Sequence, residues 1–168
     1  MYKLELEYIK YDENMTSSQR RELEHRVAYG LLFKLLLSTF GIFPTNILKN
    51  ENGKPYVENE GVHFSLSHTR GLAACVVSDS PVGVDCERLT YKSPEEIKKF
   101  ANRFFVENEI SLLDSGGYTT LDFYKIWTAK EATVKKQGSN MSQVKKIDTT
   151  QENILVSLEN DYIISINI

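Results

Sequence analysis

Residues 81–89, PVGVDCERL, and residues 123–138, FYKIWTAKEATVKKQG, decide how this chain is read. A strand has a side-chain period of two, so Asp85 and Glu87 share one face while Cys86 points the other way into packing. In a helix, Trp127, Glu131 and Lys135 form an i, i+4, i+8 row, which places a carboxylate between an indole and an ammonium. Asp85, Glu87 and Glu131 together make an oxygen-only donor set. Magnesium takes few carboxylates and completes its octahedral shell with water and substrate phosphate, so an incomplete protein cage of this kind suits it. Taken singly, each element has a plainer reading. Glu131 and Lys135 also describe an exposed ion pair of roughly 0.2–0.5 kcal/mol, and Asp85 with Glu87 also describes a strand end.

Working outward from these segments, Val62 to Leu89 contains three short β patterns, VHFSLS, LAACVVS and PVGVDCE, separated by Thr69-Arg70-Gly71 and Ser78-Asp79-Ser80-Pro81. This spacing predicts an antiparallel meander. Upstream, residues 2–9 alternate, with Tyr2, Leu4, Leu6 and Tyr8 on one face, and read as a half-buried strand. A long helix is expected from Ser17 or Ser18 to Gly41, carrying Leu23, Val27, Leu31 and Leu35 inward and Arg20, Arg21 and Arg26 outward. Residues 46–61, with Asn52-Gly53-Lys54-Pro55, read as a loop or hairpin. Downstream, Ser93-Pro94-Glu95-Glu96 opens a helix with a capping box and a first-turn proline. A second helix ends at Gly116-Gly117. Thr119 and Asp122 cap the Trp127 helix, which Gly138 terminates. ENILVSLE and YIISINI form a closing hairpin about Asn160-Asp161.

This element order predicts an α+β fold of two similar lobes, residues 1–88 and 89–168, with the carboxylate site at the seam between them. The 168 residues suffice for one domain or two interdependent lobes. Hydrophobic residues at 41% and charged residues at 26% fit a soluble chain, and no apolar run approaches the roughly 20 residues of a membrane span. The charged, alternating MYKLELEYIK is not a signal sequence, which makes a cytoplasmic location the expectation. A net charge of −3 argues against broad nucleic-acid binding. Local basic residues, Lys92, Lys98, Lys99, Arg103, Lys145 and Lys146, remain available to an acidic partner. Cys75 and Cys86 lie in apolar strands as free thiols. With His25, His63 and His68 in unrelated contexts they make no zinc ligand set.

Four motifs in order, NGKPYV, FSLSHT, GVDCE and WTAKEATVKK, resemble the 4′-phosphopantetheinyl transferases of the Sfp type over roughly Arg26 to Gly138. The resemblance implies a pseudo-dimer of two α+β lobes. It also implies transfer of the phosphopantetheine arm of coenzyme A to a serine of an apo acyl or peptidyl carrier protein, with magnesium required and adenosine 3′,5′-bisphosphate released. In that pattern Asp85, Glu87 and Glu131 bind Mg²⁺ with the coenzyme pyrophosphate, and Lys135 contacts the pyrophosphate. Arg26, Lys54, Ser67 and His68 match positions that hold the coenzyme's phosphates. Without the family, His68 reads as a turn or core histidine, and Lys54 and Arg26 read as surface cations.

The serine's proton would go to Glu131 or to a water polarised by Glu109 of FFVENE, and Trp127 reads as a packing anchor. Two lobes in one chain would complete the site in a monomer. The chain departs from the family at Ser139-Asn140-Met141, where a further glycine and a leucine are usual, and at Cys86, where an aliphatic residue is common. Two alternatives stay open: a coenzyme A or nucleotide binder of the same fold without transfer, and a magnesium phosphohydrolase.

Overall fold

A computed structural model describes residues 1–43, 46–58 and 61–168. The alternating N-terminus forms β1 (Tyr2–Tyr8), and α1 (Ser17–Phe40) follows. A capping box of Thr16 with Gln19 opens α1, and Gly41 closes it in the left-handed region at φ 67°. β2 (Leu48–Lys49) and β3 (Pro55–Tyr56) pair as a small hairpin within the segment expected to turn; residues 59 and 60 of that segment lie outside the described residues. β4 (His63–Thr69), β5 (Leu72–Ser78) and β6 (Gly83–Arg88) come next. After them run α2 (Pro94–Phe104), α3 (Glu107–Gly116) and α4 (Thr120–Gln137). Two short 3-10 turns, Met141–Lys146 and Thr149–Gln151, lead to the closing hairpin of β7 (Ile154–Glu159) and β8 (Tyr162–Asn167). Among the described residues no helix is long and apolar enough to cross a membrane.

The three-strand meander expected over residues 62–89 does not form. β4 and β5 are a hairpin, and β5 also pairs with β1, giving a sheet of order β1-β5-β4. β6 leaves that sheet and pairs antiparallel with β8, giving order β6-β8-β7. The strand that a boundary after residue 88 assigns to the N-terminal lobe is thus hydrogen-bonded to the last strand of the chain. The reason lies in the edges of β5: β1 and β4 occupy both of them, so β6 must pair elsewhere and finds β8.

Both sheets have the same strand order, with the last strand central. One face of β5 and β1, carrying Leu72, Ala74, Val76, Leu4 and Leu6, packs against Val84, Cys86, Ile164 and Ile166 of the other sheet. The opposite face, carrying Ala73, Cys75 and Val77, meets α1. This burial on both faces explains why LAACVVS is apolar without alternation. The inward stripe of α1 runs through Glu24, Ala28, Leu31, Leu32, Leu35 and Leu36, one residue round from the row through Leu23 and Val27, which are half-buried. Arg21 and Arg26 are exposed as expected, whereas Arg20 is half-buried with its guanidinium 5.5 Å from the Tyr11 ring centre.

Two local features bring β6 against its neighbours. Alternate N–H groups of an antiparallel strand point away from its partner. On β6 the N–H groups of Val84 and Cys86 donate instead to the hydroxyls of Ser65 and Ser67 on β4, at 3.0 and 3.2 Å. Side chains therefore continue what the backbone ladder does not, and the two sheets are stitched at β4 and β6. On the other side, Gly83 abuts the backbone of α4: a Cβ there would stand 1.9 Å from the Ala132 carbonyl oxygen and 2.6 Å from the Lys136 nitrogen. By the period of two, Gly83 shares its face with Asp85 and Glu87, so this close approach sets how near their carboxyls come to α4.

Gly83→Ala should accordingly push β6 from α4 and lower stability by about 1–3 kcal/mol, the usual cost of overpacking. Urea denaturation with an unchanged m-value would show it; a midpoint equal to that of the parent chain would contradict the tight crossing.

Candidate metal and anion site

β6 and α4 cross with three carboxylates between them. Asp85 is 2% exposed. Its Oδ1 accepts from the Ser67 hydroxyl at 2.8 Å and from the Lys135 ammonium at 2.7 Å, while its buried Oδ2 has no hydrogen-bond partner among the described residues. Glu87 is half-buried and accepts from the Thr69 hydroxyl at 3.3 Å. Glu131, one turn before Lys135, completes the group: Asp85, Glu87 and Glu131 each offer an oxygen, and the three lie within 4.8 Å of one another. The period-of-two and i, i+4 expectations thus converge on one point in space.

Like charges this close resist ionisation, and burial adds to the resistance. Burial first, and Asp85 beside it second, push the Glu131 carboxyl up to about 9. The same two causes raise Glu87. For Lys135 burial works against the charged form, but Asp85 and then Glu131 outweigh it and hold the ammonium above its ordinary range. Three carboxylates with one ammonium carry a formal charge of −2 when ionised. A divalent cation matches that charge, and its electrostatics would reverse the strain among the carboxyls. The all-oxygen donors and the unpartnered Asp85 Oδ2 fit a hard cation of the magnesium class and not a soft one.

Beside this cluster opens a cavity of about 520 Å³. Lys54, His68 and Lys135 line it with the apolar Tyr29, Phe64 and Met141. Lys54 arrives on the β2–β3 hairpin, where Asn50 and Asn52 both donate to the Gly138 carbonyl at 3.0 Å and so tie the hairpin to the end of α4. Its ammonium lies 3.2 Å from the Lys136 carbonyl and 3.5 Å from that of Val82, and burial pushes its pKa down to about 8. The Ser139-Asn140-Met141 departure falls on the same wall.

The other expected residues divide. Ser67 is buried, and its hydroxyl serves Asp85 and the Cys86 N–H, outside the lining of the cavity. Arg26 is exposed on α1 and is likewise absent from the lining. Trp127 packs edge-to-face on Phe100, with centroids 4.9 Å apart, as a packing anchor should. Glu109 takes another role than polarising a water: it is fully buried and pairs with the fully buried Lys130 at 2.8 Å. It also accepts from the N–H of Val106 at 3.0 Å and from the N–H and hydroxyl of Thr149 at 2.9 and 2.8 Å. The Lys130 ammonium donates further to the carbonyls of Val144 and Ile147. Every group in this network is satisfied, and it clamps the 3-10 turns onto α3 and α4.

Two contributors escaped the sequence reading. In sequence Gly83 looks like one more residue of an apolar strand, yet a glycine two residues before Asp85 on the same strand face is the signal of a close backbone approach. Glu24 breaks the apolar stripe of α1, four residues before Ala28, and a carboxylate on a core-facing position is itself a signal.

Comparison with known proteins reaches the same segments. A family model described as the 4′-phosphopantetheinyl transferase superfamily matches residues 81–164, from the approach to β6 into β8. The 4′-phosphopantetheinyl transferase gsp of Aneurinibacillus migulanus is 38% identical over 115 residues, 66% of this chain and 46% of that protein. HetI of Nostoc sp. (strain PCC 7120 / SAG 25.82 / UTEX 2576), also named a 4′-phosphopantetheinyl transferase, is 30% identical over 138 residues, 74% of this chain and 57% of its own length. The 4′-phosphopantetheinyl transferase Sfp of Bacillus subtilis (strain 168) is 33% identical over 95 residues, covering 55% of this chain and 41% of Sfp. The chain thus spans about half the length of the curated relatives it matches. Because the matched half contains both the Asp85-Glu87 strand and the Glu131-Lys135 helix, the chain belongs to the 4′-phosphopantetheinyl transferase superfamily.

Proposed function

We propose that this protein transfers the 4′-phosphopantetheine arm of coenzyme A to a serine hydroxyl of an apo acyl or peptidyl carrier protein. The observation that carries this reading is the meeting of Asp85, Glu87 and Glu131 within 4.8 Å, beside Lys135 and a cavity of about 520 Å³, in a chain of this family. Asp85, Glu87 and Glu131 are the residues we assign to Mg²⁺. When bound, the ion would supply charge neutralisation for a pyrophosphate, which is worth several kcal/mol in phosphoryl transfer. Coenzyme A is the co-substrate, with Lys54, His68 and Lys135 facing its phosphates from the cavity wall.

The reaction forms a bond from the carrier serine oxygen to the phosphorus bearing the pantetheine arm. It breaks the bond from that phosphorus to the bridging oxygen, and adenosine 3′,5′-bisphosphate leaves. Lys135 keeps its charge under burial and can donate to the oxygens on which negative charge builds, an electrostatic role that needs no proton transfer. Glu109 is committed to Lys130 and Thr149, which leaves Glu131 as the carboxylate we assign to receive the serine proton. Ser67 acts through Asp85 in this scheme. Arg26, exposed on α1, would meet the coenzyme only at the rim.

The reading includes a monomer, since β6 and α4 bring all three carboxylates together within one chain, and it takes over the expected cytoplasmic location. It also includes two similar α+β units with the site at their seam, supported by the matching strand orders of the two sheets. With β6 paired to β8, we place the boundary at residues 79–82.

Incubating apo acyl carrier protein with the protein, coenzyme A and Mg²⁺ should add the mass of one phosphopantetheine, and neither EDTA nor Glu131→Ala samples should show the gain. Absence of product with acyl and peptidyl carriers, while coenzyme A still binds, would replace the transferase by a binder. The carboxylates make a second prediction without any carrier. Mg²⁺ near 100 times its dissociation constant should stabilise the parent chain by about 2.7 kcal/mol. Glu131→Gln should be more stable than the parent in EDTA, since it relieves the repulsion, and indifferent to Mg²⁺. Equal Mg²⁺ shifts of the melting temperature in both proteins would remove the metal from this site.

A further inference from the structure

The proposed chemistry makes no use of Glu24, a carboxylate set in the apolar stripe of α1 and 7% exposed. Its two oxygens have separate partners. Oε1 accepts from the Tyr11 hydroxyl, whose oxygen in turn accepts from the Gly71 N–H at 2.7 Å. Oε2 lies 3.4 Å from Nδ1 of His68. A continuous path therefore runs from the β4–β5 turn through a phenol and a carboxylate to a histidine in the cavity wall. Its far end is fixed: Gly71 sits at φ 93°, and a Cβ on it would stand 2.4 Å from the Tyr162 hydroxyl oxygen, which donates to the Arg70 carbonyl at 3.0 Å.

A carboxylate anchored by one oxygen cannot swing away from the group that faces the other. An imidazole presented to it by Nδ1 keeps Nε2 for whatever fills the cavity, the arrangement by which carboxylates orient histidines elsewhere. The groups facing His68 pull in different directions. Burial, then Lys135 and His25, disfavour the imidazolium, while Glu24 alone favours it; the balance leaves His68 below its ordinary value. Lys54 lines the same cavity. Without Glu24 the opposition to a protonated His68 would be unrelieved. The ring would also lose the contact at Nδ1, keeping His25 edge-on at 6.5 Å.

We propose that Glu24 is a positioning residue that grips His68 at Nδ1 so that Nε2 meets a phosphate group of the ligand in the cavity. This rests on the coenzyme A reading above. Glu24 itself touches neither coenzyme nor carrier.

The test joins an NMR titration of His68 in the ligand-free protein with calorimetry of coenzyme A binding, for the parent chain, Glu24→Gln and Tyr11→Phe. Glu24→Gln keeps the shape and the acceptor for Tyr11. It should lower the His68 pKa by about one unit and weaken coenzyme A about tenfold at pH 7. In the transfer assay KM should rise with kcat within about twofold. Tyr11→Phe loosens Glu24 without removing it and should fall between, which also serves if Glu24→Gln folds poorly. An unchanged His68 titration in both variants would overturn the proposal, as would a loss confined to kcat. If the parent chain does not bind coenzyme A at all, the coenzyme reading fails on its own. A Glu24-dependent shift of His68 would then still uphold the grip.

Discussion

Three carboxylates held within 4.8 Å at the crossing of β6 and α4 form the constraint around which the rest of the structure is arranged. Left alone they repel, and burial deepens the penalty. The fold tolerates them because Lys135 and Ser67 donate to one oxygen of Asp85; the other has no partner among the described residues and remains a cost. Such a cluster is a poor contributor to stability and a good receptor for a dication. Strain of this kind is expected where chemistry, not folding, has chosen the residues.

The surrounding architecture makes the crossing possible. Gly83 lets β6 lie directly on the backbone of α4, and the hydroxyls of Ser65 and Ser67 satisfy the β6 N–H groups that face β4. Apolar packing between the two sheets holds β6 from one face, through Val84 and Cys86. On the other face α4 is pinned by buried polar links, among them Thr128 to Ser165 at 2.7 Å and Asn167 to Thr133 at 2.8 Å. The Glu109–Lys130 network fixes its middle. Hydrogen bonds are directional where hydrophobic contact is not, so they suit a helix whose rotation sets the position of Glu131.

Much of this was legible because it is local. Capping signals at Thr119, Ser93 and Gly138, and the turn at Asn160-Asp161, placed helix ends and the last hairpin within a residue or two. The carboxylate faces followed from helix and strand periods alone. Long-range pairing was not legible: nothing in PVGVDCERL says that its partner is YIISINI rather than LAACVVS, since both are apolar strands of equal fitness. The inward face of α1 came out one residue off because Glu24, a core position, looks polar in any hydrophobic pattern. Glu109 illustrates the same limit. Its charge suggested chemistry, whereas Lys130, Val106 and Thr149, from three separate segments, make it a clamp.

A crystal grown with Mn²⁺ and coenzyme A would test the central claim most directly, through the anomalous signal of the metal. The account predicts one peak bounded by oxygens of Asp85, Glu87 and Glu131, with the coenzyme pyrophosphate completing the shell and reaching Lys135. A metal bound elsewhere, or a coenzyme seated with its pyrophosphate away from these carboxylates, would contradict it.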